Sequence, residues 1–246
     1  GKRMPIGILI DALAVAVGGA AGGLLKNVVS GEAKERLNMV FGACSIAMGI
    51  GSVLLMVHMP AVIFAVILGT MLGLALRLGE RITAAARGMR NGLARLTRSA
   101  HGASSGADHT AMLVTSIVLF CASGTGIYGA LISGMTGDHN ILITKAILDF
   151  FTAAIFACTL GGVVSAISIP QCLIFLALFA CARWIYPLTT PDMIGDFKAC
   201  GGIIMLCTGF RMAGIKPFPI ADMLPSMILV MPFSWFWGCF ELPLVG

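Results

Sequence analysis

Charge is what this sequence has least of. Only 11% of its 246 residues are Asp, Glu, Lys or Arg, against 58% hydrophobic residues. A soluble domain needs about 25% charged residues to solvate its surface. A water-facing shell cannot be built from less than half of that, so soluble, disordered and collagenous classes are excluded. Paired-cysteine spacing is also missing. The cysteines at 44, 121, 158, 172, 181, 200, 207 and 239 form no CxxC pair and sit in or beside apolar runs without a His cluster. They read as small, reduced, buried hydrophobes, with no metal expected. Enzyme signatures are absent as well: there is no HExxH, GxSxG, phosphate loop or dinucleotide fingerprint opening a helix after a strand. No catalytic residue and no cofactor is nominated. Segments alternating over roughly 10 residues are lacking too, which removes a membrane barrel.

What the chain does have is long apolar runs. A helix needs about 20 apolar residues to cross the hydrocarbon core, and about 17 at the short end. Candidate spans are 5–25, 39–57, 60–76, 111–134, 141–165, 170–187, 198–213 and 219–240. The expected fold is all-α, a polytopic membrane protein with about eight spans. Of these, 60–76 and 198–213 are short enough to be half-buried or re-entrant. Gly1–Arg3, ahead of Met4, read as the remnant of a tag, and no cleavage site follows them.

One polar stretch interrupts the runs and suggests a division into a first bundle (5–76), a linker (77–110) and a second bundle (111–246). The linker holds Arg77, Arg81, Arg87, Arg90, Arg95 and Arg98. Leu78, Ile82, Ala85, Met89, Leu93 and Leu96 fall roughly on one helical face. Two readings stand: a basic amphipathic helix on anionic lipid, or a solvated linker. The formal charge of +5 needs no nucleic acid partner, because cytoplasmic loops collect Lys and Arg. Placing Lys26, Lys34, Arg36, the linker arginines, Arg211 and Lys216 inside puts both termini outside.

Internal similarity appears twice. FGACSIAMGIG (41–51) resembles FCASGTGIYG (120–129) and CGGIIMLCTGF (200–210), and 8–23 resembles 146–162 around Asp11 and Asp149. The spans carrying 41–51 and 200–210 cross in opposite directions, as in an inverted repeat.

Ionisable groups inside apolar runs are the strongest functional clue, since each costs about 2.5–3.5 kcal/mol or more at a helix centre. Asp149 lies inside its span, and Lys145 is one turn earlier on the same face. The pair reads either as a self-satisfied intrahelical ion pair or as a carboxylate that serves a substrate or ion. Asp11 has no local cation and must find a partner on another helix, face water or carry a proton. Ser123, Gly124, Thr125 and Gly126 interrupt an apolar helix; such a cluster either packs closely or unwinds to offer backbone groups to a ligand. Segment 209–226 is dense in Gly and Pro and reads as a discontinuous helix in which Arg211 or Lys216 attracts an anion, or as a cytoplasmic loop. His58, His101 and His109 suggest nothing specific.

The blocks PIGILIDALAVAVGG, VLFCASGTGIYGALISGMTGDHNILITKAILDFFTAAIFACTLG and LTTPDMIGDFKACGGIIMLCTGFRMAGIKPFPIADMLP resemble the YqgA-type family of bacterial inner-membrane proteins. Many members carry Asn where this chain has Asp11. The resemblance implies a multi-span helical protein of the inner membrane and the label of transporter, without a substrate or an established site. The reading that follows is a small-solute transporter, coupled to an ion or proton, with Asp149, Lys145, Asp11, Ser123–Gly126 and Arg211 as its binding residues. The expected partners are the bilayer, the solute and a second copy of the chain. Two alternatives are an oligomeric channel and a non-transporting scaffold or regulatory protein that uses the basic linker.

Overall fold

The computed structural model describes residues 4–24, 30–97 and 107–241. Gly1–Arg3, Lys26, Arg98 and His101 lie outside them. Among the described residues there is no strand. The helices are α1 (Ile6–Leu24), α2 (Gly31–Val53), α3 (Met59–Ala75), α4 (Leu78–Thr97), α5 (Ala107–Cys121), α6 (Gly124–Thr136) and α7 (Asn140–Leu160). They continue with α8 (Val163–Ala166), α9 (Ser168–Ile185), α10 (Pro191–Met212), α11 (Ile220–Met223) and α12 (Ser226–Glu241). Among the described residues seven segments are long and apolar enough to cross a membrane: Ile6–Leu24, Gly31–Val53, Ser116–Thr136, Asn140–Leu160, Val163–Leu188, Pro191–Met212 and Ile220–Phe240. An eighth is the pair Met59–Ala75 and Leu78–Arg90, bent by 58°, where Arg77 takes a positive φ of 49°. The protein is a helical membrane protein. Its exposed Leu, Ile, Val, Phe and Trp side chains would be a liability in water and are ordinary against lipid.

Two compact units form, and they interleave along the chain: 1–38 with 80–183, and 39–79 with 184–246. Consecutive bundles at 5–76 and 111–246 are not what the contacts produce. The reason is glycine. In the first unit α1 lies parallel to α7, approaching Leu142 at Gly7, Phe150 at Gly18 and Ala154 at Gly22. At Gly18 and Gly22 an added Cβ would strike the facing backbone carbonyl, so the helices meet where only glycine fits. Ser165 then donates to the Ala16 carbonyl at 2.9 Å. These contacts commit the first span to the fifth rather than to its sequence neighbours.

In the second unit α2 runs antiparallel to α10. Added Cβ atoms at Gly42 and Gly49 would meet the carbonyls of Gly209 and Gly202 at 2.7 and 2.8 Å, and those at Gly209 and Gly202 would meet the carbonyls of Gly42 and Gly49 at 2.6 and 2.8 Å. Ser45 donates to the Met205 carbonyl at 3.1 Å in the same seam. Helix α3 runs antiparallel to the α11–α12 segment, with Gly69 against Ser226 and Gly73 against Asp222. The Phe64 and Phe233 rings are 5.3 Å apart.

Three sequence expectations change here. The short candidate 198–213 is part of a 22-residue helix, α10; polar Asp192, Asp196 and Lys198 hide its start. The single span 111–134 is broken after Cys121. The basic helix α4 is amphipathic, but it buries Ala86 rather than Ala85. Ala86 belongs to the core cluster that holds Leu113, Val114 and Ile117, and Met89 packs against it, so this part of the apolar face is covered by the protein itself; the Leu93 and Leu96 side chains lie outside the described residues. The Arg81 and Arg87 side chains point outward.

Candidate functional site

The first unit has a layered interior. Ile8, Ala130, Leu142, Phe175 and Phe179 make one apolar cluster. Val15, Ile117, Phe120, Ala153, Ala157 and Val164 belong to another. Asp11 falls between Ile8 and Val15 on α1, and Asp149 between Leu142 and Ala153 on α7. A polar layer is thereby held between two dry ones.

That layer is an assembly from three helices. Lys145 and Asp149, a turn apart on α7, form an ion pair. The Lys145 ammonium also lies 3.5 Å from Asp11 Oδ2 and 5.7 Å from the centre of the Phe175 ring. Gln171 of α9 donates through Nε2 to Asp11 Oδ2 at 3.0 Å and to Asp149 Oδ2 at 3.1 Å. Relative exposures are 0% for Asp11 and Gln171, 3% for Lys145 and 9% for Asp149. Asp11 Oδ1 and Gln171 Oε1 are buried without a hydrogen-bond partner. Buried acceptors are nearly always satisfied, so two orphans on bonded neighbours need a reason.

The helix break adjoins the same place. Ser123 is extended (φ −69°, ψ 139°) and its Oγ accepts from Gly126 N at 3.1 Å, capping α6. The interruption therefore falls at Ala122–Ser123, and Gly124–Gly126 form the first turn of α6. A Cβ on Gly126 would come within 2.9 Å of Lys145 Cε and would collide with the Phe175 ring. Glycine is thus what lets the start of α6 close over the lysine. The first-turn N–H groups of a helix lack intrahelical partners, so the break brings polar backbone to membrane depth beside the charges.

Of the residues nominated from sequence, Asp11, Lys145 and Asp149 meet directly, and Gly126, with the Ser123 hydroxyl beside it, lies against Lys145. Gly124, Thr125 and Gly126 are buried. Arg211 is not part of this assembly: it belongs to the second unit and is exposed on the last turn of α10. Gln171 was not foreseen. Its only signal is a side-chain amide inside the apolar run SIPQCLIFLALFACA.

A second polar assembly, also unforeseen, lies in the other unit. Asp196 of α10 accepts from the backbone N–H groups of Val57 and His58 at 2.8 Å each and from Ser234 Oγ at 2.6 Å. It also pairs with His58 Nδ1 at 2.8 Å. Two of these bonds satisfy the amides of Val57 and of His58, the residue that precedes the first turn of α3, so the carboxylate fixes the chain where it enters that helix. A mostly apolar groove of about 370 Å³, lined by Ile185, Leu188, Thr189, Met193, Met231 and Trp235, touches none of the nominated residues. Among the described residues no group of three His, Cys, Asp or Glu side chains could hold a metal ion.

Comparison with known proteins gives relatives without a chemistry. The family model described as "Protein of unknown function (DUF554)" matches residues 6–235. The chain is 44% identical over 234 residues to "Uncharacterized protein YqgA" of Escherichia coli strain K12, covering 95% of this chain and 98% of that one. It is 24% identical over 233 residues to "Uncharacterized membrane protein YdfK" of Bacillus subtilis strain 168, covering 91% and 93%. No solved structure matches. With a family model spanning nearly the whole chain and a relative of this similarity, the protein belongs to the YqgA-type DUF554 family.

Proposed function

We propose that the protein moves a small solute across the bacterial inner membrane, with Asp11, Lys145, Asp149 and Gln171 as the site and the start of α6 as its wall. One observation carries the reading: two carboxylates and an ammonium are buried inside membrane-spanning helices beside a helix broken at the same depth. Ionisable groups are costly there and are retained for pathways and relays more often than for packing, and discontinuous helices recur at transporter sites. The closed apolar layers above and below correspond, in this reading, to an occluded state.

The reading treats 41–51 and 200–210 as inverted copies. Their antiparallel seam, with Gly42 facing Gly209 and Gly49 facing Gly202 reciprocally, supports this. The channel alternative, with glycine helices packing between protomers, has less support, because Gly18 and Gly22 of α1, Gly42 and Gly49 of α2, and Gly69 and Gly73 of α3 are occupied within the chain. No enzymatic role is proposed.

The test is charge displacement in proteoliposomes adsorbed on a sensor membrane, with concentration jumps of amino acids, carboxylic acids, amines and alkali cations. Wild-type protein and Asp192→Asn, altered at an exposed position, should give currents for one class. A folded Asp149→Asn protein should fall to the empty-liposome baseline. Wild-type currents from Asp149→Asn would remove that residue from the mechanism. Silence from the wild type over the whole panel would favour the scaffold reading, with the basic helix as its contact.

A further inference from the structure

Charge counting in the buried layer does not close. Two carboxylates face one ammonium, and Gln171 is neutral, so full ionisation leaves one uncompensated negative charge between two apolar clusters. The hydrogen-bond count fails at the same point. Gln171 Nε2 and Lys145 Nζ both reach Asp11 at Oδ2 and the Asp149 carboxylate lies close enough to interact with it, while Oδ1 has no hydrogen-bond partner. Gln171 spends its amide nitrogen on both carboxylates, which leaves Oε1 empty-handed. The missing charge and the two missing hydrogen bonds belong to adjacent groups, and a single added hydrogen would supply all three.

We infer that Asp11 Oδ1 carries a proton that it donates to Gln171 Oε1, making the carboxyl–amide pair a proton-binding site in the membrane interior. The existing bond from Nε2 to Oδ2 and the added one from Oδ1 to Oε1 together form the cyclic pair of a carboxylic acid with a primary amide. Asp149 is the poorer host, since it already forms the direct ion pair with Lys145 and is the more exposed carboxylate. A sodium ion fits less well. It needs a shell of several oxygens, whereas here two are unpartnered and the Oδ2 atoms are taken by an ammonium and an amide. The other titratable groups within electrostatic reach are the Cys172 thiol beside Asp11 and the Cys121 thiol beside Lys145 and Asp149.

Binding is the transfer of one proton from water to Oδ1, taking the cluster from one negative charge to neutrality; release reverses it. The presence of the proton stands on the cluster alone. Its use as the coupling ion rests on the transport reading above.

Infrared difference spectroscopy of the full chain in lipid vesicles tests this without any transport assay. At neutral pH the wild type should show a carboxylic acid C=O band that shifts on ¹³C labelling of aspartate. Asp11→Asn should lose the band. Gln171→Leu should move it to the higher frequency of a carboxyl without an acceptor. Replacing choline by sodium should leave it unchanged. Absence of a labelled band in the wild type, its persistence in Asp11→Asn, or its loss on adding sodium would each overturn the proposal. The labelling experiment needs no variant, so it stands even if Asp11→Asn does not fold. A band with no transport would refute the transport reading and leave the proton site intact.

Discussion

Lys145 is the side chain on which the buried layer depends, because it is the one cation shared by two carboxylates. With Asp11 protonated, removing Lys145 strands the Asp149 charge, whereas removing Asp11 leaves the Lys145–Asp149 pair and removing Asp149 lets Asp11 release its proton and pair with the lysine. Breaking a buried ion pair from one side costs about 3–5 kcal/mol. Lys145→Met should therefore lose about that much in thermal unfolding followed by tryptophan fluorescence, while Asp11→Asn and Asp149→Asn lose clearly less. Equal losses for all three would mean that the layer is not electrostatically coupled. The charged members were legible in the sequence because Asp and Lys stand out in apolar runs. Their mutual contact was not, since Asp11 and Gln171 pair across 160 positions and no local pattern encodes that. Gln171 was missed because an amide carries no charge. His58 was passed over because a histidine at a helix start reads as a loop residue, and only Asp196, 138 positions on, gives it a partner.

Among the helices, glycine has two roles that sequence alone cannot separate. Gly22 lies where an added methyl would run into the Ala154 carbonyl, whereas Gly88 on α4 faces open space. Glycine within a helix costs roughly 0.5–1 kcal/mol relative to alanine. Gly88→Ala should thus stabilise the protein by about that amount. Gly22→Ala should destabilise it by about 1–3 kcal/mol, the usual cost of overpacking. Thermal unfolding of the two single variants checks the contrast, and like signs would contradict the close approach of α1 to α7. The same distinction explains what was legible at this scale. The run SGTG announced an interruption, and the structure puts it at Ala122–Ser123, because Ser123 can cap the helix that Gly124 begins. The start of α10 was not legible, because Asp196 looks like a loop residue until its four hydrogen-bond partners are known.

For the whole molecule, the direction of packing within each unit fixes the parity of the crossings. Helix α1 runs parallel to α7, while α2 runs antiparallel to α10 and α3 to α12. If each span reverses direction, α1 and α7 can be parallel only when an odd number of crossings separates them. The segments between are α2, α3 and the α5–α6 pair, so α3 must cross despite its 17 residues. Without α3 the fifth span would become the fourth and run the wrong way. The other two antiparallel pairs agree with the same count, since α2 and α10 become second and seventh, and α3 and α12 third and eighth. Eight crossings would put the ends of α1 and α12 that lead out of the bundle on one face and α4 on the opposite one, and the positive-inside rule predicts the cytoplasmic side for the arginines of α4. An alkaline phosphatase fused after Phe240 should accordingly be active, and a green fluorescent protein at the same point dark, with the opposite pair of results for fusions after Gly92. A further pair of fusions after Leu55, between α2 and α3, should match those after Phe240; results equal to those after Gly92 would mean that α3 turns back within the bilayer, and the parallel contact of α1 with α7 would then need another explanation.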